Sequence, residues 1–151
     1  MMYELLRDAV RRHLDETLLI IGQLTEVDIM AKPVSGGRRI GEIVLHMIRS
    51  LEYYMRGIVE NFWEPLPYTL ETHSTSEAII QLAEQVFKRV SEYMYFVRLM
   101  NLDEKIDSFS RPTTIAELIL EMLEHSVHHR GQLVVYYRLL GIIPKQISYI
   151  V

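Results

Sequence analysis

Apolar residues recur at helical spacing in four long stretches of this 151-residue chain, and nowhere does the two-residue alternation of a half-buried strand persist. The first stretch runs from about Met2 to Leu24, with Leu6, Val10, Leu14 and Ile21 in phase. The second runs from about Ile40 to Phe62, and Pro65 and Pro67 close it. The third starts at Ser74-Thr75-Ser76-Glu77 and continues to about Met100. The fourth starts at Thr114-Ile115-Ala116-Glu117 and ends at Gly141, with Pro144 shortly after. Both starts read as capping boxes, in which a hydroxyl accepts from an N3 amide and a carboxylate reaches back. The pattern predicts an all-α fold, a four-helix bundle with long connecting loops. Connections of about a dozen residues exceed the roughly 2–8 usual in bundles, so they are expected to lie across the bundle. With no repeat or linker visible, residues 1–151 read as one domain.

Composition narrows the chemistry. There is no cysteine, so disulfides, thiolate metal sites and cysteine nucleophiles are excluded, and any metal must be held by nitrogen and oxygen. A net charge of −4 argues against a general nucleic-acid binder, although Arg11-Arg12 and Arg38-Arg39 are short basic patches. The N-terminal residues carry charges every few positions, unlike a signal peptide, and no apolar run reaches the ~18–20 residues of a membrane span. The expectation is a cytoplasmic protein with neither a membrane nor a nucleic-acid partner.

Three of the six histidines fall in Glu124-His125-Ser126-Val127-His128-His129-Arg130-Gly131-Gln132. His125 and His129 are four apart, which stacks both imidazoles on one helix face. At 100° per residue from His125, His129 falls near about 40°, Gln132 about −20°, Glu121 about −40° and His128 about −60°. The apolar stripe centres at about 90° on the same count, so the pair sits on its flank. His46 lies on the flank of the second helix's stripe in the same way. If the two flanks face each other, His46 meets His125 and His129 across a groove, the way bundles build metal sites. Three imidazoles leave a position open, the mark of a reactive site. Spacing alone also suits a surface pair or a satisfied core pair, and it does not say which helices are neighbours.

Pro33 through Gly37-Arg38-Arg39-Ile40-Gly41-Glu42-Ile43-Val44-Leu45-His46-Met47, together with Met122 through Leu133 and Arg138-Leu139-Leu140-Gly141-Ile142-Ile143-Pro144, resembles the DinB-like (damage-inducible) superfamily of metal-binding four-helix bundles. That name records induction by DNA damage. The resemblance spans nearly the whole chain. It implies metal ligands at His46, His125 and His129, a divalent ion such as zinc, nickel or iron, and a homodimer. It also implies, for some members, a thiol-dependent transferase using a low-molecular-weight thiol.

The sharp expectation is therefore a metal-dependent thiol S-transferase acting on a small electrophilic substrate. A metal-dependent hydrolase using activated water and a non-catalytic dimeric bundle are the alternatives. Glu121, Gln132 and Tyr53 are the candidate auxiliary residues. Glu121 or Gln132 would fix an imidazole tautomer. Tyr53 would donate to substrate or sit at the core edge. Arg49 would hold a substrate carboxylate or face water. Arg130 reads as a surface or dimer residue, His73 as a loop residue, and His13 as a histidine with no partner. Phe62 and Trp63 would roof a pocket or pack in a loop.

Overall fold

The computed structural model describes residues 1–107 and 110–149. Its helices are α1 (Met2–Ile21), α2 (Ile40–Glu60), α3 (Ser76–Val97) and α4 (Ile115–Leu139), with a 3-10 turn at Gly22–Glu26. The expected all-α bundle is present. Helix α1 stops short of Leu24 because the chain tightens into that turn. Helix α2 ends at Glu60 rather than Phe62, where Asn61 takes a left-handed φ of 53° and caps the last turn onto the Gly57 carbonyl. The box at Thr114 and Glu117 forms as expected. At α3 no box forms: Thr75, not Ser74, is the N-cap, its hydroxyl accepts from the Ala78 amide, and an alanine at that position has no carboxylate to reach back. Two short strands that no alternation announced, β1 (Lys105–Ile106) and β2 (Thr113–Thr114), pair antiparallel with Lys105 opposite Thr114.

Helix α2 packs on α3 and α4, and α1 packs on the same two, so α1 faces α2 across one diagonal and α3 faces α4 across the other. Side-chain bonds give the directions. Tyr3 at the start of α1 donates to the Met94 carbonyl near the end of α3 at 3.0 Å, so these run antiparallel. His13 meets Ser126, and Tyr137 donates to the Ile20 carbonyl at 2.7 Å, so α1 and α4 run parallel. Arg89 binds Glu52 and Tyr93 binds Glu60, so α2 and α3 are parallel as well. Parallel neighbours need a crossover. Helix α2 is about 31 Å long, and residues 61–75 can extend to about 50 Å, enough to return its whole length.

The crossover is pinned along α2. Tyr68 donates to Glu52 at 2.8 Å, Arg49 donates to the Tyr68 carbonyl, and Arg56 to the carbonyls of Phe62 and Glu64. Glu52 is only 6% exposed, and Arg89 binds both its oxygens, at 3.0 and 3.2 Å. Such a buried carboxylate is tolerated because every oxygen has a partner. The Trp63 ring lies flat enough on Gly57 that a Cβ there would sit 2.2 Å from it, so Trp63 closes onto α2.

Between α1 and α4 runs a buried polar seam, and two expectations are corrected here. His13 is 4% exposed and bonds Ser126 Oγ through Nε2 at 2.7 Å. Arg130 is 5% exposed, donates to Thr17 Oγ1 at 3.4 Å and lies 3.5 Å from the Glu16 carboxylate. The surface reading of Arg130 follows from its angle, about 140° away from the ligands on the helical count. Its phase, only about 50° from the centre of the apolar stripe, already pointed inward. Burial, with the charge of Arg130 adding to it, holds the His13 imidazole down to about 4. An unfolded histidine titrates near about 6.5, so between these values the unfolded chain binds the extra proton. The stabilisation from keeping His13 neutral is complete above about pH 6.5 and is lost as pH falls toward 4, up to about 3 kcal/mol in all. Urea titrations from pH 4 to 7 are expected to show His13→Gln losing about one proton's share of the wild-type slope. An unchanged slope would place that acid sensitivity elsewhere.

Candidate metal centre

Helices α2 and α4 run antiparallel, and this packing brings His46 against His125 and His129. The Nε2 atoms of His46 and His125 are 3.1 Å apart, as are those of His129 and His125. The ring centroids lie 4.5–4.9 Å apart with the planes steeply inclined. The three rings therefore point their Nε2 edges at one locus instead of stacking. All are partly buried.

Hydrogen bonding alone does not satisfy this arrangement. The carbonyl oxygen of Gln132 lies 2.8 Å from His129 Nδ1 and accepts its proton. That leaves His129 Nε2 as a bare lone pair facing the locus. The Gln132 amide nitrogen lies 3.2 Å from His128 Nε2, a contact that sets the amide in this orientation. His125 Nε2 has one hydrogen at most and two nitrogen neighbours, so one close N···N contact is left without a proton. His125 Nδ1 is buried with no partner among the described residues. A cation shared by three lone pairs removes the repulsion. Two nitrogens about 2.0–2.1 Å from one ion lie about 3–3.4 Å apart, and the observed 3.1 Å falls in that range.

The electrostatics favour neutral ligands. Burial holds the His46 imidazole down to about 4, with the positive charge of Arg38 next in effect. Burial likewise pushes His125 below the ordinary imidazole value, with the other rings and Arg38 adding to it. His129 is lowered by burial too, against the opposing hydrogen bond to Gln132. Neutral imidazoles at pH 7 offer their lone pairs without a proton to displace. The residues present thus suit a divalent ion held by nitrogen, and in composition His46, His125 and His129 are a three-ligand set whose donor atoms all lie within 4.8 Å.

The auxiliary candidates separate. Gln132 touches the centre. Glu121 is exposed and turned to Arg111 at 3.4 Å and to the Tyr54 hydroxyl at 3.5 Å. Tyr53 packs its ring on Tyr54 and Trp63, with centroids 6.1 and 5.4 Å away. Arg49 is neither open to water nor free for substrate: it pairs with Glu42 at 2.6 Å and holds the Tyr68 carbonyl. His128 is exposed, its ring 5.0 Å from that of His129. His73 is the loop residue expected, bonded to Thr72 and edge-on to Tyr68. In the sequence Arg38 stands out only as half of a short basic patch, yet its charge reaches all three imidazoles; its place on a loop gave no helical phase to read.

Gln132→Leu is expected to weaken zinc binding by about tenfold or more, the usual cost of removing the partner that orients a ligating histidine. Competition against a chromophoric chelator measures this, and unchanged affinity would remove Gln132 from the centre.

Comparison with known proteins adds a lineage. The DinB family model matches residues 2–151. An uncharacterized protein of Bacillus subtilis (strain 168), YjoA, is 26% identical over 113 residues, 73% of this chain and 72% of that protein. The crystal structure of the DinB-like YjoA superposes with a TM-score of 0.77 at 22% identity, covering 95% of both chains. A DinB-like protein from Bacillus cereus ATCC 10987 superposes with a TM-score of 0.73 at 18% identity, covering 91% of this chain and 92% of that one.

Proposed function

The chain belongs to the DinB family, and from that premise we propose that it is a metal-dependent thiol S-transferase acting on small electrophiles, with a divalent zinc, nickel or iron ion on His46, His125 and His129. The observation that carries this is the convergence of three Nε2 atoms with no fourth ligating side chain in the group among the described residues. Bound there, such an ion would keep its full charge and bring the pKa of a coordinated thiol toward neutrality. The chain has no cysteine, so the thiol arrives as a small molecule. Gln132 holds the tautomer of His129, and the α2–α4 packing holds the rings without large motion.

A hydrolase would profit from a carboxylate poised to take a proton from water. Glu121, whose charge bears on His125, is engaged with Arg111 and Tyr54, and Gln132 is no base, which favours thiol transfer. Elemental analysis is expected to find about one divalent ion per chain, as a three-ligand site holds, and its loss from a variant with His46, His125 and His129 all replaced by alanine. Equal traces in both proteins would refute the site. In the cobalt-loaded protein, small thiols are expected to shift the visible bands. Indifference to every thiol, with turnover of esters or amides, would transfer the proposal to hydrolysis.

The proposal extends to a cytoplasmic homodimer. Among the described residues no helix is long and apolar enough to cross a membrane. Leu5 and Leu19 on α1 are exposed and share a helical stripe with Ala9, Arg12 and Glu16, which line a groove with Leu123 and Val127 of α4; Leu120, also exposed, continues that edge. A second copy covering this face would bury it. Sedimentation equilibrium is expected to give twice the 17.8 kDa of one chain, and to give a monomer when Leu120 and Val127 are both changed to glutamate. A monomeric wild type would rule the dimer out.

A further inference from the structure

We propose that Arg38 anchors a carboxylate or similar anionic group on the small molecule that enters the histidine centre. The inference rests on the metal-site reading above and adds the charge class of its ligand. A cleft of about 630 Å³ opens between the loop before α2, the first turn of α2 and the second half of α4, and it reaches the centre at His129 and Gln132. Val34, Ile43 and Val135 form apolar walls, and Arg38 lies in the lining. Among the described residues no aspartate or glutamate lines the cleft. Among the described residues the Arg38 side chain makes no ion pair or hydrogen bond. Arg49, Arg56 and Arg89 are committed, to Glu42, to two loop carbonyls and to Glu52.

Arg38 is also held in place. Gly36 takes a left-handed φ of 74°, and the Gly37 amide bonds the Val34 carbonyl at 3.0 Å. Gly37 lies so close to Tyr136 that a Cβ would stand 2.3 Å from its hydroxyl, which seats the loop on α4. On its other side the Ile40 amide bonds Ala31 and the Gly41 amide bonds Ile29, both at 2.9 Å. A guanidinium stays charged at any working pH and presents a fork that matches a carboxylate. Its field already acts on all three imidazoles. A neutral-ligand centre beside an arginine that has no partner among the described residues, in a cleft those residues line without an acid, selects for a molecule with an apolar body and a negative end.

The test compares wild type with Arg38→Gln and Arg38→Lys, all cobalt-loaded, at pH 7. The probes are 3-mercaptopropionate and 2-mercaptoethanol, followed by visible spectra and calorimetry. Arg38→Gln is expected to weaken 3-mercaptopropionate by about fivefold or more, within the range for one exposed charge-assisted contact. Arg38→Lys is expected to recover part of it, and 2-mercaptoethanol to bind all three proteins alike. If Arg38→Gln weakens both thiols equally, or neither, the anchor is overturned. Butyrate, which carries no thiol, keeps the two proposals separable. If no thiol perturbs the cobalt bands, butyrate binding that falls by about fivefold in Arg38→Gln still upholds the anchor, and equal butyrate binding overturns it.

Discussion

The antiparallel packing of α2 on α4 is the constraint on which the rest depends. His46 alone, or the pair His125 and His129 alone, is an ordinary feature of a helix surface. Pressed together, the two helices force three imidazole nitrogens to within 3.1 Å contacts that proton sharing cannot fully satisfy. Repulsion among lone pairs is then offset only by a positive charge at their meeting point. The core beneath keeps the rings from relaxing apart: Ile43, Val44, Met47, Met122 and Leu133 are all at most 1% exposed. Close-packed interiors resist the small shifts that would separate the rings.

The remaining elements serve that packing. With α2 and α3 parallel, the chain must travel back along the bundle, and the 61–75 crossover does so while tied to α2 by Tyr68, Arg49 and Arg56. Buried Glu52, paired with the partly exposed Arg89, joins the same crossover to α3. Where α4 faces α1, the seam of His13, Ser126, Thr17 and Arg130 sets the rotation of α4 about its own axis. Rotation by one residue would carry His125 and His129 about 100° away from α2. The polar seam and the histidine centre thus lie about 100° apart around one helix, and each holds the other in phase.

Charge is arranged with the same economy. Most acids and arginines around α2 are paired with each other or with loop carbonyls. Near the centre the pattern changes to three neutral imidazoles, an amide and Arg38, which has no ion pair among the described residues. Burial lowers all three imidazoles, so the centre meets a cation as lone pairs rather than as protons.

Much of this was legible beforehand. Helical period marked four helices, the Thr114 box marked the start of α4, and the phase of His125, His129 and Gln132 put them on one side. That information is local, carried by the 3.6-residue turn. The phase of Arg130 is legible too, but only when measured from the apolar stripe, about 50° away, instead of from the ligands. What periodicity does not contain is which helices are neighbours, because period describes one helix at a time. Nor does it contain loop geometry, so the seating of Gly37 on Tyr136, and with it the position of Arg38, was invisible. The β1–β2 pair was missed because two residues are too few to alternate. The sequence by itself determined the helices, their buried faces and the nitrogen-only character of any metal site. The tertiary structure decided that His46 faces His125 and His129, since only the packing of whole faces selects α3 and α4, and not α1, as the neighbours of α2.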